Sequence, residues 1–415
     1  MRDNHYDRKK FIAAFGAAAA GGVLLNSLFP VPGVAQAPVP VIEDPGNEYL
    51  FAEGLTYLNT GTLGPCRRET IEESLNYWNE LESFPLKFYG GHGAEPLAEK
   101  TRSIAANFLG CDISEVLITT STTNGMNAIA QGLRLKEGDR ILTTDQEHGG
   151  GLLGWEYFAK YYGVIVDKIT IPPGENNAEL ILSRIKDKLS NRTRVISVSH
   201  VFSSTGLRVP VAEISSLARA NGALCIVDGA QAAGGIAVDV KKLGCHAYAT
   251  SGHKWLMGPK GTGLLYISKE AQDIIRPMQF EESHNTYTDG NGVVNLACIL
   301  GLGKAMDHLT SVGMNKVEEH NLSLRNRLYE KLKDLKDVRI LSPEEGPLAS
   351  PMLTLLLPQR IDKSAFVKML LDKYKISIRP THKEFGFNGI RFSVHIFNTE
   401  KDIDLAAEVL HKEIS

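Results

Sequence analysis

Lys254 stands in the segment YATSGHKWLMGPKGTG (248–263), where a polar SGHK follows an apolar stretch and Gly- and Pro-rich turns come after it. A lysine placed just past a strand end, in a loop facing a cleft, can shed its proton and condense with an aldehyde to form a Schiff base. A single lysine in a glycine loop is by itself only a surface residue, and Lys260, six residues on, reads that way. A second segment, ALCIVDGAQ (223–231), changes the weighting. There a hydrophobic run ends in Asp228, with Gln231 three residues later. A carboxylate at a strand end can hold a protonated ring nitrogen, the partner that pyridoxal phosphate requires. Alone, Asp228 is a turn former or helix cap. Followed 26 residues later by the lysine segment, it makes a pair with one chemical purpose.

Two further segments supply candidates. VLITTSTTNG (116–125) is an apolar run followed by a hydroxyl-rich loop that opens a helix. Free N–H groups and the helix dipole favour an anion there, with Thr122 and Thr123 donating, although a Ser/Thr run before a helix also serves as a plain cap. His148 follows the apolar run 140–144 in DQEHGGG (145–151). In a cofactor cleft it can stack on a ring and pass protons; elsewhere it is a satisfied structural histidine.

These residues need a frame. Short apolar runs at 116–120, 140–144, 164–171, 195–199, 223–227, 247–250 and 263–267 read as strands. Helical patterns at 69–81, 96–109, 125–132, 155–162, 178–189 and 211–220 lie around and between them. The alternation predicts an α/β protein with a mostly parallel seven-stranded sheet covered on both faces, whose ligands sit beyond the strand C-termini. A long helical pattern, 296–307 and then 313–335, leads to a smaller α+β region: strands at 338–341, 352–357, 376–380 and 390–394, helices at 363–373 and 400–414. The boundaries drawn from this are a leader 1–37, an arm 38–54, a large cofactor-binding domain 55–290, and an interdomain helix with a small C-terminal domain 291–415.

Composition sets limits. The 415 residues are 43% apolar and 22% charged, which is globular rather than disordered. With 45 basic and 48 acidic residues the net charge is −3, so no basic face argues for nucleic acid. Five cysteines without a CxxC pair and twelve scattered histidines give no zinc ribbon, disulfide framework or metal site.

The N-terminus reads as an export signal. Arg2, Arg8, Lys9 and Lys10 precede an Ala/Gly-rich apolar stretch, and Ala35-Gln36-Ala37 is a small-x-small cleavage site. DRKKFI (7–12) is similar to a twin-arginine signal, with Lys9 where the second Arg belongs. The expectation is cleavage after Ala37 and a periplasmic protein of net charge −5 with no stable membrane insertion; an uncleaved anchor is the alternative.

Taken together, YLNTGTLGP (57–65), TTSTTNGMNAIAQGL (119–133), SHVFSSTGLRVPVAEISSLARANGALCIVDGAQ (199–231), YATSGHKWLMGPKGTGLLYI (248–267) and RFSVHIFNTEKDID (391–404) resemble the class V aminotransferase family. These are pyridoxal-phosphate enzymes of the type I transferase fold, and the likeness spans about residues 55–411. The isopenicillin N epimerase-like branch looks nearest. The resemblance implies that Lys254 carries the Schiff base and moves protons, that His148 stacks over the ring, that Asp228 pairs with the ring nitrogen and that Gln231 contacts the ring hydroxyl, with Ser203 nearby. It implies phosphate binding by Thr122, Thr123, Ser251 and His253, and substrate-carboxylate binding by Arg391, which read alone is a surface ion pair. It also implies a homodimer and a small-molecule or peptide amine substrate, with transamination or epimerisation at Cα.

Three departures bear on this, the first being that Ser203 stands where the desulfurase-like cousins often have Asn. Gly292-Val293 lacks the hydroxyl that the family often uses to reach the partner subunit's phosphate, with Thr286 or Thr288 as possible substitutes. No Cys follows Cys298, so residues 375–390 lack the thiol of the desulfurase-like cousins. That opposes persulfide formation but leaves a C–S or β-elimination lyase open. A non-catalytic exported binding protein on the same fold is the remaining alternative.

Overall fold

The computed structural model describes residues 48–86, 94–278 and 293–414. The leader, Thr286, Thr288, Gly292 and residues 87–93 lie outside the described residues. All the described residues except 51–53, which group apart, fall in one compact unit.

The first strand, β1 (Thr56–Tyr57), lies outside the main sheet. That sheet comprises β2 (Val116–Thr119), β3 (Arg140–Thr144), β4 (Ile165–Ile169), β5 (Thr193–Ser199), β6 (Leu224–Asp228), β7 (Ala247–Ser251) and β8 (Gly263–Ile267). The spatial order is β2-β8-β7-β6-β5-β3-β4. Every pairing is parallel except those of β8, which runs against both neighbours. All residues of β7 and β8 are buried, which is why neither strand alternates apolar with polar residues. Leu117, Ile129, Trp155, Ile226 and Leu265 share one core between the sheet and its covering helices.

The C-terminal part has its own sheet. Strands β9 (Arg339–Ile340), β10 (Met352–Leu356), β12 (Arg379–Pro380) and β13 (Gly389–Ser393) form an antiparallel sheet of order β12-β13-β10-β9. Helices Met314–Leu332, Lys363–Tyr374 and Glu400–Ile414 cover it over a core that includes Leu328, Phe366, Phe392 and Leu410. The run 376–380 predicts one strand, but the chain divides it. Its first part, β11 (Ile376–Ser377), pairs in parallel with β1, and its second part joins β13. Pro380 has no N–H, so the segment cannot extend either ladder far. The long helical pattern breaks at Gly313, whose φ of 91° turns Leu296–Val312 into the next helix.

None of the five cysteines is disulfide-bonded. Among the described residues no helix is long and apolar enough to cross a membrane.

Candidate active site

The C-terminal ends of β5, β6 and β7 lie side by side, with Ser199 opposite Asp228 and Asp228 opposite Ala249. Lys254 follows β7 in a turn held by Gly258 N–H to the Gly252 carbonyl (2.8 Å) and Met257 N–H to the Lys254 carbonyl (3.0 Å). Burial pushes the Lys254 ammonium down to about 8; Asp228 opposes this, and Arg391 and Arg379 add to it. Burial raises Asp228 above the usual carboxylate range, against an N–H from Ala230 (3.0 Å) and the charge of Lys254. Each of the two groups therefore moves the other's protonation equilibrium.

Two helices begin at this edge, both earlier than their sequence patterns indicate. The first is Thr122–Gly132, not 125–132, because Ser121 caps it by accepting from Asn124 N–H at 3.2 Å. Thr122 and Thr123 are thus its first turn, where backbone N–H groups lack helical partners. Ser251 reaches this turn: its Oγ accepts from Thr122 N–H (2.9 Å) and lies 2.7 Å from the Thr122 hydroxyl. The second helix is Gly149–Tyr162, whereas the pattern starts at Trp155. His148 caps it, Nδ1 accepting from Gly150 N–H at 3.1 Å. The three glycines are helical, and the lack of side chains at Gly150 and Gly151 makes room. A Cβ on Gly150 would lie 2.5 Å from Thr123 Oγ1, and one on Gly151 would lie 2.7 Å from Asp228 Oδ2.

The opposite wall comes from residues 60–64 and β13. Gln231 donates from Nε2 to the Gly61 carbonyl (3.0 Å) and accepts from Trp255 Nε1 (2.9 Å). Arg391 donates to the Ser203 carbonyl (2.9 Å) and to Thr62 Oγ1 (3.1 Å). Burial, then the charge of Arg379, pushes Arg391 down to about 9. The His253 carbonyl accepts from Gly64 N–H at 2.7 Å, and burial followed by the charge of Lys254 lowers its ring to about 4. Burial and the charge of Lys254 also lower His148. All ten residues nominated from the sequence are therefore linked at one edge of the sheet. Val293 is exposed. A separate cleft lined by Leu135, Lys136, Asp139, Arg194 and Asp273 lies at the N-terminal strand ends and holds none of the nominated residues.

Four neighbours escaped the sequence reading. Glu147 is buried beside His148 and takes donors from Thr144 Oγ1 (2.7 Å), Ser199 N–H (2.8 Å) and Ser199 Oγ (2.5 Å). Thr62, Arg379 and His382 join the Arg391 wall. A carboxylate directly before His148 was a usable signal; Arg379 had none without the register of β12 on β13.

These residues suit pyridoxal phosphate. The first turn of the Thr122–Gly132 helix is a helix N-terminus of the kind that favours an anion, and Ser251 Oγ holds the Thr122 N–H that a phosphate would take. Ser203 Oγ is buried with no protein partner among the described residues, and so is Arg391 Nε. Each is a polar atom that a ligand would satisfy.

The sequence family described as Aminotransferase class-V matches residues 69–405. An isopenicillin N epimerase of Amycolatopsis lactamdurans is 28% identical over 383 residues, covering 87% of this chain and 95% of that protein. A probable cysteine desulfurase of Pyrococcus abyssi is 29% identical over 339 residues, covering 76% and 82%. The solved structure of a C-DES mutant with glycine covalently linked to its PLP cofactor aligns with a TM-score of 0.78 at 22% identity, covering 88% and 97%, a likeness of fold. With the family matched over most of its length, the chain belongs to the class V aminotransferases, and its cofactor is pyridoxal phosphate.

Proposed function

We propose that this enzyme acts on the α-amino group of an amino acid or amine-bearing peptide and moves protons at Cα, giving transamination or epimerisation. The observation that carries the reading is the placement of Lys254 at the end of β7, depressed to about 8 and electrostatically coupled to Asp228. When bound, pyridoxal phosphate supplies a carbonyl that condenses with amines and a ring that accepts the electron pair left at Cα.

The protein supplies the rest. Asp228 would hold the ring nitrogen; Gln231 and Ser203 would face the ring hydroxyl. Thr122, Thr123, Ser251 and His253 would hold the phosphate. His148, fixed by its cap to Gly150 N–H, presents Nδ1 as an acceptor and leaves Nε2 to carry the ring proton. Lys254 is the base at Cα, since a substantial neutral fraction exists near pH 8. Arg391 would bind the α-carboxylate as a planar fork.

A second reading is a β-elimination or C–S lyase. The protein has no cysteine in the β12–β13 connection, residues 381–388, so such a lyase would release its sulfur product rather than store it on a protein thiol there. Incubation with amino acids in D2O separates the outcomes. Deuterium at Cα with the amine retained marks epimerisation. Stoichiometric oxo acid marks transamination, and pyruvate with ammonia marks elimination. Finding only the last pair would overturn the first reading.

We further propose a homodimer exported to the periplasm, on the strength of the family and of residues 1–37. Light scattering of the purified protein and cell fractionation test these two points; a monomer or a purely cytosolic mature chain would contradict them.

A further inference from the structure

Arg379 and Arg391 are register partners across β12 and β13, so their side chains project from the same face of the sheet. They converge on one atom. Arg379 Nη1 donates to Thr62 Oγ1 at 3.3 Å, and Arg391 Nη2 donates to the same oxygen at 3.1 Å. The other partners of these guanidiniums are also neutral. Arg391 Nη1 donates to the Ser203 carbonyl, and Arg379 Nη2 lies 2.8 Å from His382 Nε2. Among the described residues neither arginine forms an ion pair with a carboxylate. The acid that acts on Arg379 is Glu384, from beyond ion-pair distance.

Two adjacent guanidiniums without counter-charges repel one another, and burial strengthens the repulsion. A fold that keeps them side by side leaves the negative charge to a ligand. One substrate α-carboxylate occupies one planar fork, and the reading above gives that fork to Arg391. Arg379 then remains for a second anionic group. It is fixed for this by His382, whose ring stands edge-on to His148 with centroids 5.4 Å apart at 79°. The second group therefore lies on the His148 side of the site.

We propose that the substrate is a diacidic amine, an amino acid or peptide end whose second carboxylate is held by Arg379. This rests on the assignment of Arg391 to the α-carboxylate.

The test is calorimetry on the full-length, cofactor-loaded protein with glutarate, which has two carboxylates, and butyrate, which has one. Neither carries an amine, so binding is read without turnover. Glutarate should bind at least about tenfold tighter than butyrate. Arg379→Gln should erase that preference while weakening butyrate far less than glutarate, and Arg379→Lys should restore part of it. Equal binding of the two acids by the wild-type protein would overturn the proposal, as would an Arg379→Gln protein weakened equally toward both, since Arg379 would then share the first carboxylate. The visible absorbance of the cofactor, followed on the same samples, separates the two failures. A protein with no cofactor band that still prefers glutarate contradicts the functional reading and keeps the diacid site.

Discussion

Gly151 lies against Asp228 so closely that a Cβ on its backbone would come within 2.7 Å of Asp228 Oδ2. That approach joins the start of helix Gly149–Tyr162 to the end of β6 and explains why a glycine stands at 151 in its first turn. Gly151→Ala should displace the Asp228 carboxylate. Titration with pyridoxal phosphate should show cofactor affinity falling at least about tenfold, while the protein remains folded by circular dichroism. Unchanged affinity would mean that Asp228 does not touch the cofactor.

His148 does two jobs that substitution can separate. Its Nδ1 caps the helix, and its ring faces the site. His148→Asn retains a capping side chain and should keep stability within a few tenths of a kcal/mol, whereas His148→Ala should lose about 1 kcal/mol. Both should lower turnover by a similar factor, on the order of 10²-fold or more. Full turnover in His148→Asn would show that the ring matters only as a cap.

Glu147 is held by three donors from Thr144 and Ser199, although burial, aided by the charge of Asp228, pushes its carboxyl up to about 7. Glu147→Ala leaves the buried Ser199 N–H without that acceptor. Urea unfolding should show a loss of about 1–3 kcal/mol. No loss would mean that water or a shifted side chain replaces the carboxylate.

Lys254 releases its proton at about 8 instead of 10.5. Below that pH it is an ammonium with no lone pair for an aldehyde; above it the amine is free. The rate at which cofactor-free protein takes up pyridoxal phosphate should therefore rise with pH and reach half its plateau near 8. A midpoint near 10.5 would place the lysine in water.

Much of this site was legible because single short segments carry it. The apolar runs ending at Asp228 and Ser251 each fixed a strand and its chemically useful end, and both lie where expected. What was not legible depends on distant pairings. The helical pattern started only at 155 because glycine breaks isolated helices, and the reason for Gly150 and Gly151 is Thr123 and Asp228, far off in sequence. Arg379 read as an ordinary strand residue until its register on β13 set it against Arg391. The strand 376–380 read as continuous because alternation does not reveal a change of partner midway.

The most direct test of the account is to load the protein with pyridoxal phosphate, reduce it with borohydride, and map the modified peptide beside Lys254→Ala. The account predicts a visible absorption band in the wild type and one cofactor per chain covalently fixed to Lys254 after reduction, with neither in the mutant. A folded wild-type protein with no band, or with the label on another lysine such as Lys260, would contradict it.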